Sequence, residues 1–210
     1  MQWVWEATSK IAAAPLASVP WRHLNVASVF PDDFYREMLR HLPSVSSMRR
    51  LSWATPNRHL LGIHGVRFHR ADSPPVPAFW RGFARKFFPS LRCTLETTFG
   101  VRGRKEAGAL VYDTPGYSLV PHTDTPDRLI TAVFYLPADD ASADQGTILM
   151  RGREPDPEGM GHAFDDRFDP VKVVPCAPNS ALFFERSDWS YHAVGETHTP
   201  RWSMSFDVFR

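Results

Sequence analysis

Cysteine is scarce in this chain of 210 residues: only Cys93 and Cys176 occur, far apart and without CxxC or zinc-type spacing. That excludes a disulfide framework and fits a reducing, cytoplasmic setting. Long apolar runs are missing as well. The one near the N-terminus, residues 11–16, is too short to span a membrane and follows Glu6 and Lys10 rather than a basic leader, so neither a membrane span nor a targeting segment is expected. Acidic residues are scarce in one stretch. Between Arg49 and Lys105 twelve Lys and Arg face only Asp72 and Glu96, although the whole chain carries a net charge of +1. Such a flank can attract an anionic substrate or nucleic acid, or be a solvated helix face plus loops.

What is present suits a globular protein. The composition is 43% hydrophobic and 13% aromatic, and 19 Pro mark a chain rich in turns. A length of 210 residues is enough for one domain with a core of its own, so a single domain 1–210 is expected. Residues 1–14 contain good helix formers without a clear stripe, and 21–26 suit a short strand. Residues 32–42 form a helix, with Asp32 and Asp33 at its start, apolar Phe34, Tyr35, Met38, Leu39 and Leu42 at helical spacing, and Pro43 as its stop. Residues 48–70 mix Arg, His, Gly and Pro without sustained period and read as a long loop or short strands. From Pro77 to Gly100 an aromatic stripe (Phe79, Phe83, Phe87, Phe88, Leu91, Leu95, Phe99) predicts a second core helix, interrupted near Pro89.

Beyond residue 100 the texture turns to about eight short strands with turn residues between them, at 107–112, 117–122, 129–136, 147–151, 171–174, 181–184, 190–194 and 202–209. The expected fold is an all-β core with supporting helices (α+β), a jelly roll of the cupin-like, double-stranded β-helix kind. Residues 1–100 supply helical support and a substrate-side loop, and 101–210 the core.

On a strand ending in His122-Thr123-Asp124, His122 and Asp124 point to one side and can grip one ion. With nine His and fifteen Asp, a His-x-Asp arises by chance roughly 0.6 times in such a chain, so the pair alone is a metal site or a coincidence. His192 lies late in the chain in an apolar, strand-like context where it can return beside His122. Two imidazoles and one carboxylate on one face of an ion leave the other face to exogenous ligands, an arrangement suited to non-haem Fe(II). Nine residues on, Arg201-Trp202-Ser203 places a guanidinium and a hydroxyl on one strand face, suited to hold a carboxylate.

The order His122-x-Asp124, His192, Arg201-x-Ser203, with residues 131–137 and 146–149 between, resembles the iron(II)/2-oxoglutarate-dependent oxygenases, especially the compact prolyl-4-hydroxylase-like branch. The resemblance spans about residues 110–209. It implies Fe(II) held by His122, Asp124 and His192, 2-oxoglutarate chelating the metal with its distal carboxylate on Arg201 and Ser203, and O2 as the oxidant. It further implies hydroxylation of an unactivated carbon, with succinate and CO2 as coproducts. Members often carry Lys at the Arg201 position, and many place a tyrosine on the strand before the first His to touch 2-oxoglutarate; Tyr112 and Tyr117 both compete for that role. Demethylases of alkylated bases carry a second Arg six residues after the first, where this chain has Asp207, so nucleic acid is not the expected partner. Halogenating relatives lack the acidic ligand that Asp124 supplies. Substrate contacts are expected from Arg128, Arg186, Trp189 and Tyr191, and from the loop 48–70 over the mouth. The expected substrate is a small molecule, amino acid or peptide-like natural product. A protein side chain is the alternative, and a non-catalytic cupin-like binding module a further one; oligomeric state is not legible.

Overall fold

The last strand of the chain alternates polar and apolar residues, and that alternation shows how the molecule sorts into layers. The computed structural model describes residues 2–51, 57–65, 73–140 and 143–210. Three helices, α1 (Gln2–Ala13), α2 (Asp32–Arg40) and α3 (Ala78–Phe99), accompany strands β1 (His23–Val26), β2 (Arg49–Arg50) and β3 (Arg58–His64). The C-terminal strands are β4 (Lys105–Asp113), β5 (Leu119–His122), β6 (Arg128–Tyr135), β7 (Thr147–Gly152), β8 (Phe168–Val174), β9 (Ser180–Glu185), β10 (His192–Val194) and β11 (Arg201–Phe209). A seven-stranded sheet runs β1-β9-β6-β11-β4-β3-β2 and a four-stranded sheet β5-β10-β7-β8. This is the mostly-β, jelly-roll architecture that the strand count predicts.

β11 shows how the layers arise. Met204, Phe206 and Val208 face outward into a core shared with Leu24, Leu110, Ile130, Phe134 and the helices, where Phe83, Phe87, Phe88, Leu91 and Leu95 of α3 are buried. Arg201, Ser203, Ser205 and Asp207 alternate with them and face inward, toward the smaller sheet. Trp3 of α1 stacks on Phe34 and Phe83, tying α1, α2 and α3 together. No helix among the described residues is long and apolar enough to cross a membrane.

Two local expectations differ from the structure, and the open reading of 48–70, long loop or short strands, resolves to strands where it is described. α3 passes through Pro89 without interruption, because Pro89 lies on the exposed side with Arg85 and Lys86. The Arg85 carbonyl that loses its partner can therefore turn to water, while the buried stripe continues on the other side. The stretch 48–70 contains a full strand, β3, paired with β4. Its Leu60, Leu61 and Ile63 are all buried, since one face meets α3 and the other the interior, so the alternation that marks a half-exposed strand never develops. Residues 52–56 and 66–70 of the expected loop, with Arg67, His69 and Arg70, lie outside the described residues. The strand expected at Tyr117 starts at Leu119 instead, because Tyr117 N–H closes a turn onto the Thr114 carbonyl at 3.1 Å through Gly116, which has a φ of 83°.

Candidate metal centre

The smaller sheet brings the candidate metal ligands together. β10 pairs with β5 so that His192 stands directly opposite His122, and the two ring centroids are 4.2 Å apart. Asp124 follows two residues after His122, and one donor atom from each of the three residues lies within 4.8 Å of the others. Both rings are oriented from behind in the same way. His122 Nδ1 lies 2.9 Å from the Val120 carbonyl and His192 Nδ1 3.0 Å from the Ser190 carbonyl. A carbonyl only accepts, so each Nδ1 carries the hydrogen, leaving each Nε2 lone pair for a metal. Burial, reinforced by the neighbouring His192, pushes the His122 pKa down to about 4 and keeps that ring neutral near pH 7. For Asp124 burial acts upward, but the Arg128 guanidinium and the two histidines outweigh it and hold the carboxyl at about 2. Asp124 Oδ2 accepts from Thr131 Oγ1 at 2.6 Å and Oδ1 from Arg128 Nη1 at 2.8 Å.

The ligands open into a cavity of about 290 Å³ between the two sheets, walled by Leu60, Val111, Leu119, Val133, Phe184 and Val194 among others. Arg201 and Ser203 lie on its wall, both buried. Arg201 donates through Nη2 to Asp113 Oδ2 at 2.9 Å and through Nη1 to the Gln145 carbonyl. Arg58 of β3 reaches the same carboxylate, Nε to Oδ1 at 2.6 Å. The two candidate tyrosines separate cleanly. Tyr112 pairs in register with Trp202 and packs against it at 4.8 Å on the helix side of the sheet, away from the cavity, because strand parity puts 111 and 113 inward instead. Tyr117 is buried beside the arginines, with Arg58 4.1 Å and Arg201 5.8 Å from its ring centre.

Of the four residues expected to meet substrate, Arg128 lines the cavity. The other three do not. Arg186 braces the metal loop from behind, donating through Nε to the Asp124 carbonyl at 3.1 Å and through Nη2 to the Pro157 carbonyl at 2.5 Å. Tyr191 is one residue out of phase with His192 and so faces the opposite side, packing on Phe168 and donating to the Glu154 carbonyl at 3.0 Å. Trp189 is half exposed on the surface. Sequence reasoning passed over Arg58, Asp113 and Thr131 as site residues, and Asp207 counted only as a missing arginine. Asp207 in fact faces the cavity, 3.3 Å from Arg128. The polar alternation Arg201, Ser203, Ser205, Asp207 along one strand was the available signal for it.

Two imidazole nitrogens and a carboxylate form a donor set that fits Fe(II), with one side of the ion left to other ligands. Tyr117 Oη, buried and without a hydrogen-bond partner among the described residues, sits beside guanidinium groups, which fits a carboxylate-bearing cosubstrate. Comparisons with known proteins agree with this chemistry. Residues 107–206 match the family model described as the 2OG-Fe(II) oxygenase superfamily. A search of curated proteins returns no match. Among solved structures, the chain is similar to a prolyl-4-hydroxylase from Pseudomonas putida, with 15% identity, a TM-score of 0.63 and coverage of 99% of this chain and 98% of that one. It is also similar to a prolyl hydroxylase from Trichoplax adhaerens in complex with a hypoxia inducible factor peptide fragment, with 11% identity, a TM-score of 0.61 and coverage of 99% and 89%. A third is HygX from Streptomyces hygroscopicus with nickel, 2-oxoglutarate and hygromycin B bound, with 12% identity, a TM-score of 0.58 and coverage of 89% and 82%.

Proposed function

We propose, from the match of residues 107–206 to the 2OG-Fe(II) oxygenase superfamily model together with the site's donor set, that this chain is an Fe(II)- and 2-oxoglutarate-dependent hydroxylase of an unactivated carbon in a small molecule, amino acid or peptide-like natural product. In this reading residues 1–210 form one oxygenase domain. The observation that carries the reading is the pair of backbone-fixed Nε2 donors facing Asp124, in one cavity with a buried arginine suited to a carboxylate.

His122, Asp124 and His192 hold the metal. Arg201, with Ser203 and Tyr117 nearby, holds the distal carboxylate of the cosubstrate. When bound, the iron and the 2-oxo acid together supply the oxidising power: O2 is consumed, 2-oxoglutarate becomes succinate and CO2, and one oxygen atom enters a C–H bond of the substrate. The chain's own residues do the placing and the shielding. Thr131 and Arg128 fix the Asp124 carboxylate so that it meets the metal in one orientation. Leu60, Val111, Leu119, Val133, Phe184 and Val194 line the walls with hydrocarbon and limit water around the reacting carbon. The cavity of about 290 Å³ accommodates the cosubstrate and one end of a substrate rather than a whole large ligand. That size suits a substrate that inserts a side chain or terminus, as a peptide or a tailored natural product would.

Anaerobic titration with Fe(II) and 2-oxoglutarate, followed by oxygen exposure and assay of succinate, tests this reading. Wild type should bind iron and form succinate, and His122→Ala should lose iron affinity by roughly 100-fold or more. Equal iron binding by the two proteins would place the metal elsewhere. A panel of free amino acids, short peptides and small natural products then identifies the substrate class by stimulated oxygen uptake.

A further inference from the structure

The larger sheet carries a charge pattern that the metal site does not explain. Arg58 of β3 and Arg201 of β11 both stand directly opposite Asp113 of β4 in register, so three neighbouring strands present guanidinium, carboxylate and guanidinium in a row on the cavity face. Asp113 is fully buried and Arg201 nearly so, and both arginines line the cavity. Arginine stays charged and only donates, so the row sets two guanidiniums against one carboxylate; Arg201 and Asp113 are buried, while the Arg58 side chain is 21% exposed. Within this row one guanidinium is left over beyond the carboxylate, at the end of the cavity away from Asp124, Arg128 and Asp207, and that suits one anion.

The donors are not equally free. Arg201 uses three of its five N–H donors, Nε and Nη2 on Asp113 Oδ2 at 3.2 and 2.9 Å and Nη1 on the Gln145 carbonyl, and keeps the second hydrogen of each Nη. Arg58 uses Nε and Nη2 on Asp113, at 2.6 and 2.9 Å, and no hydrogen bond of its Nη1 is formed among the described residues. The Arg58 guanidinium lies 4.1 Å over the centre of the Tyr117 ring, and the buried Tyr117 hydroxyl lacks a partner among the described residues.

We propose that Arg58 is a second cosubstrate-binding residue: it shares the distal carboxylate of 2-oxoglutarate with Arg201, and Asp113 is the positioning residue that holds the two guanidiniums at the spacing one carboxylate can bridge. The inference rests on the 2-oxoglutarate reading above and adds to the Arg201 anchor a residue from outside the stretch that matches the family model. It also makes the diacid specific, since a 2-oxo acid ending in a methyl group leaves the left-over guanidinium unmatched.

Calorimetric titration of the full-length protein loaded with redox-inactive Mn(II) tests this, with 2-oxoglutarate and 2-oxopentanoate as probes. Wild type should prefer the diacid. Arg58→Met should bind 2-oxoglutarate roughly 10- to 100-fold more weakly with 2-oxopentanoate unchanged, and Arg58→Lys should recover part of the loss. Unchanged 2-oxoglutarate binding in Arg58→Met, or equal weakening of both acids, overturns the proposal. Should Arg58→Met fail to fold, Arg58→Lys decides alone: loss confined to the diacid supports the assignment, and no loss or loss on both acids overturns it. A wild-type protein that binds Mn(II) but neither acid would sink the cosubstrate reading itself, a result distinct from any difference between variants.

Discussion

At the scale of single residues, the Asp124 carboxylate proposed for the metal is held through both of its oxygens. Thr131 Oγ1 gives Asp124 Oδ2 a hydrogen bond of 2.6 Å, and Arg128 Nη1 reaches Oδ1 at 2.8 Å while lying 3.3 Å from Asp207. Thr131→Val keeps the shape and removes the donor. It should weaken Mn(II) affinity about tenfold and cost about 1–2 kcal/mol in denaturant unfolding of the metal-free protein. A change in stability with unchanged affinity would mean that Thr131 only fills space. His122 carries a pH signature. Its folded pKa lies near 4 against an ordinary 6.5, so the unfolded chain takes up the proton first as pH falls. The stability due to its neutral form is therefore complete above about pH 6.5 and is lost progressively down to about 4. Unfolding of the metal-free protein followed from pH 7 to pH 4 should show this decline, with a slope of up to one proton that His122→Gln removes.

At the scale of elements, strand parity decides which side chains serve the cavity. Gly108 stands on the helix-facing side of β4, where an added Cβ would lie 2.4 Å from Phe88 Cε2 and 2.7 Å from Cζ. Phe88 is fully buried and packs on Phe206 at 4.7 Å, so it has little room to retreat. Gly108→Ala should cost about 1–3 kcal/mol in denaturant unfolding, with Mn(II) affinity nearly unchanged because the clash is on the opposite face from the site. The same parity shows what could be read in advance. The polar residues at 201, 203, 205 and 207 reveal an inward face without any structure, and the eight strand segments stand out between turn residues. Tyr112 and Tyr117 could not be ranked, because their faces depend on pairing with β11 and on the turn at Gly116. The Arg58–Asp113–Arg201 row was out of reach, since it needs the spatial order β11-β4-β3 and β3 hides its period by being buried on both faces.

At the scale of the whole molecule, one apolar cluster joins Val4 and Ile11 of α1, Phe83 to Phe99 of α3, and Phe206 and Val208 near the C-terminus. α1 and α3 thus pack into the same apolar core as the C-terminal strand, as the proposed single domain requires. Thermal unfolding of the full chain should be a single transition, and free Mn(II) at 100 times its Kd should add about 2.7 kcal/mol to the stability. Two resolved transitions would instead separate the helical layer from the sheets. The basic flank divides at this scale too. Arg58 turns inward to the cavity and Arg92 pairs with Glu96 at 2.8 Å, so its charge does not form one uniform outer face.

The pairing of His192 opposite His122 has a further consequence. β10 is only three residues long and is gripped on both sides, by β5 and β7. A slip of one position would turn His192 away and bring Tyr191 or Ala193 inward. On the proposed ligand set, metal uptake should therefore gauge alignment, with only molecules whose short strand β10 has seated correctly able to load. The fraction of a refolded or redesigned preparation that takes up metal then counts the correctly assembled molecules directly, before any substrate is known.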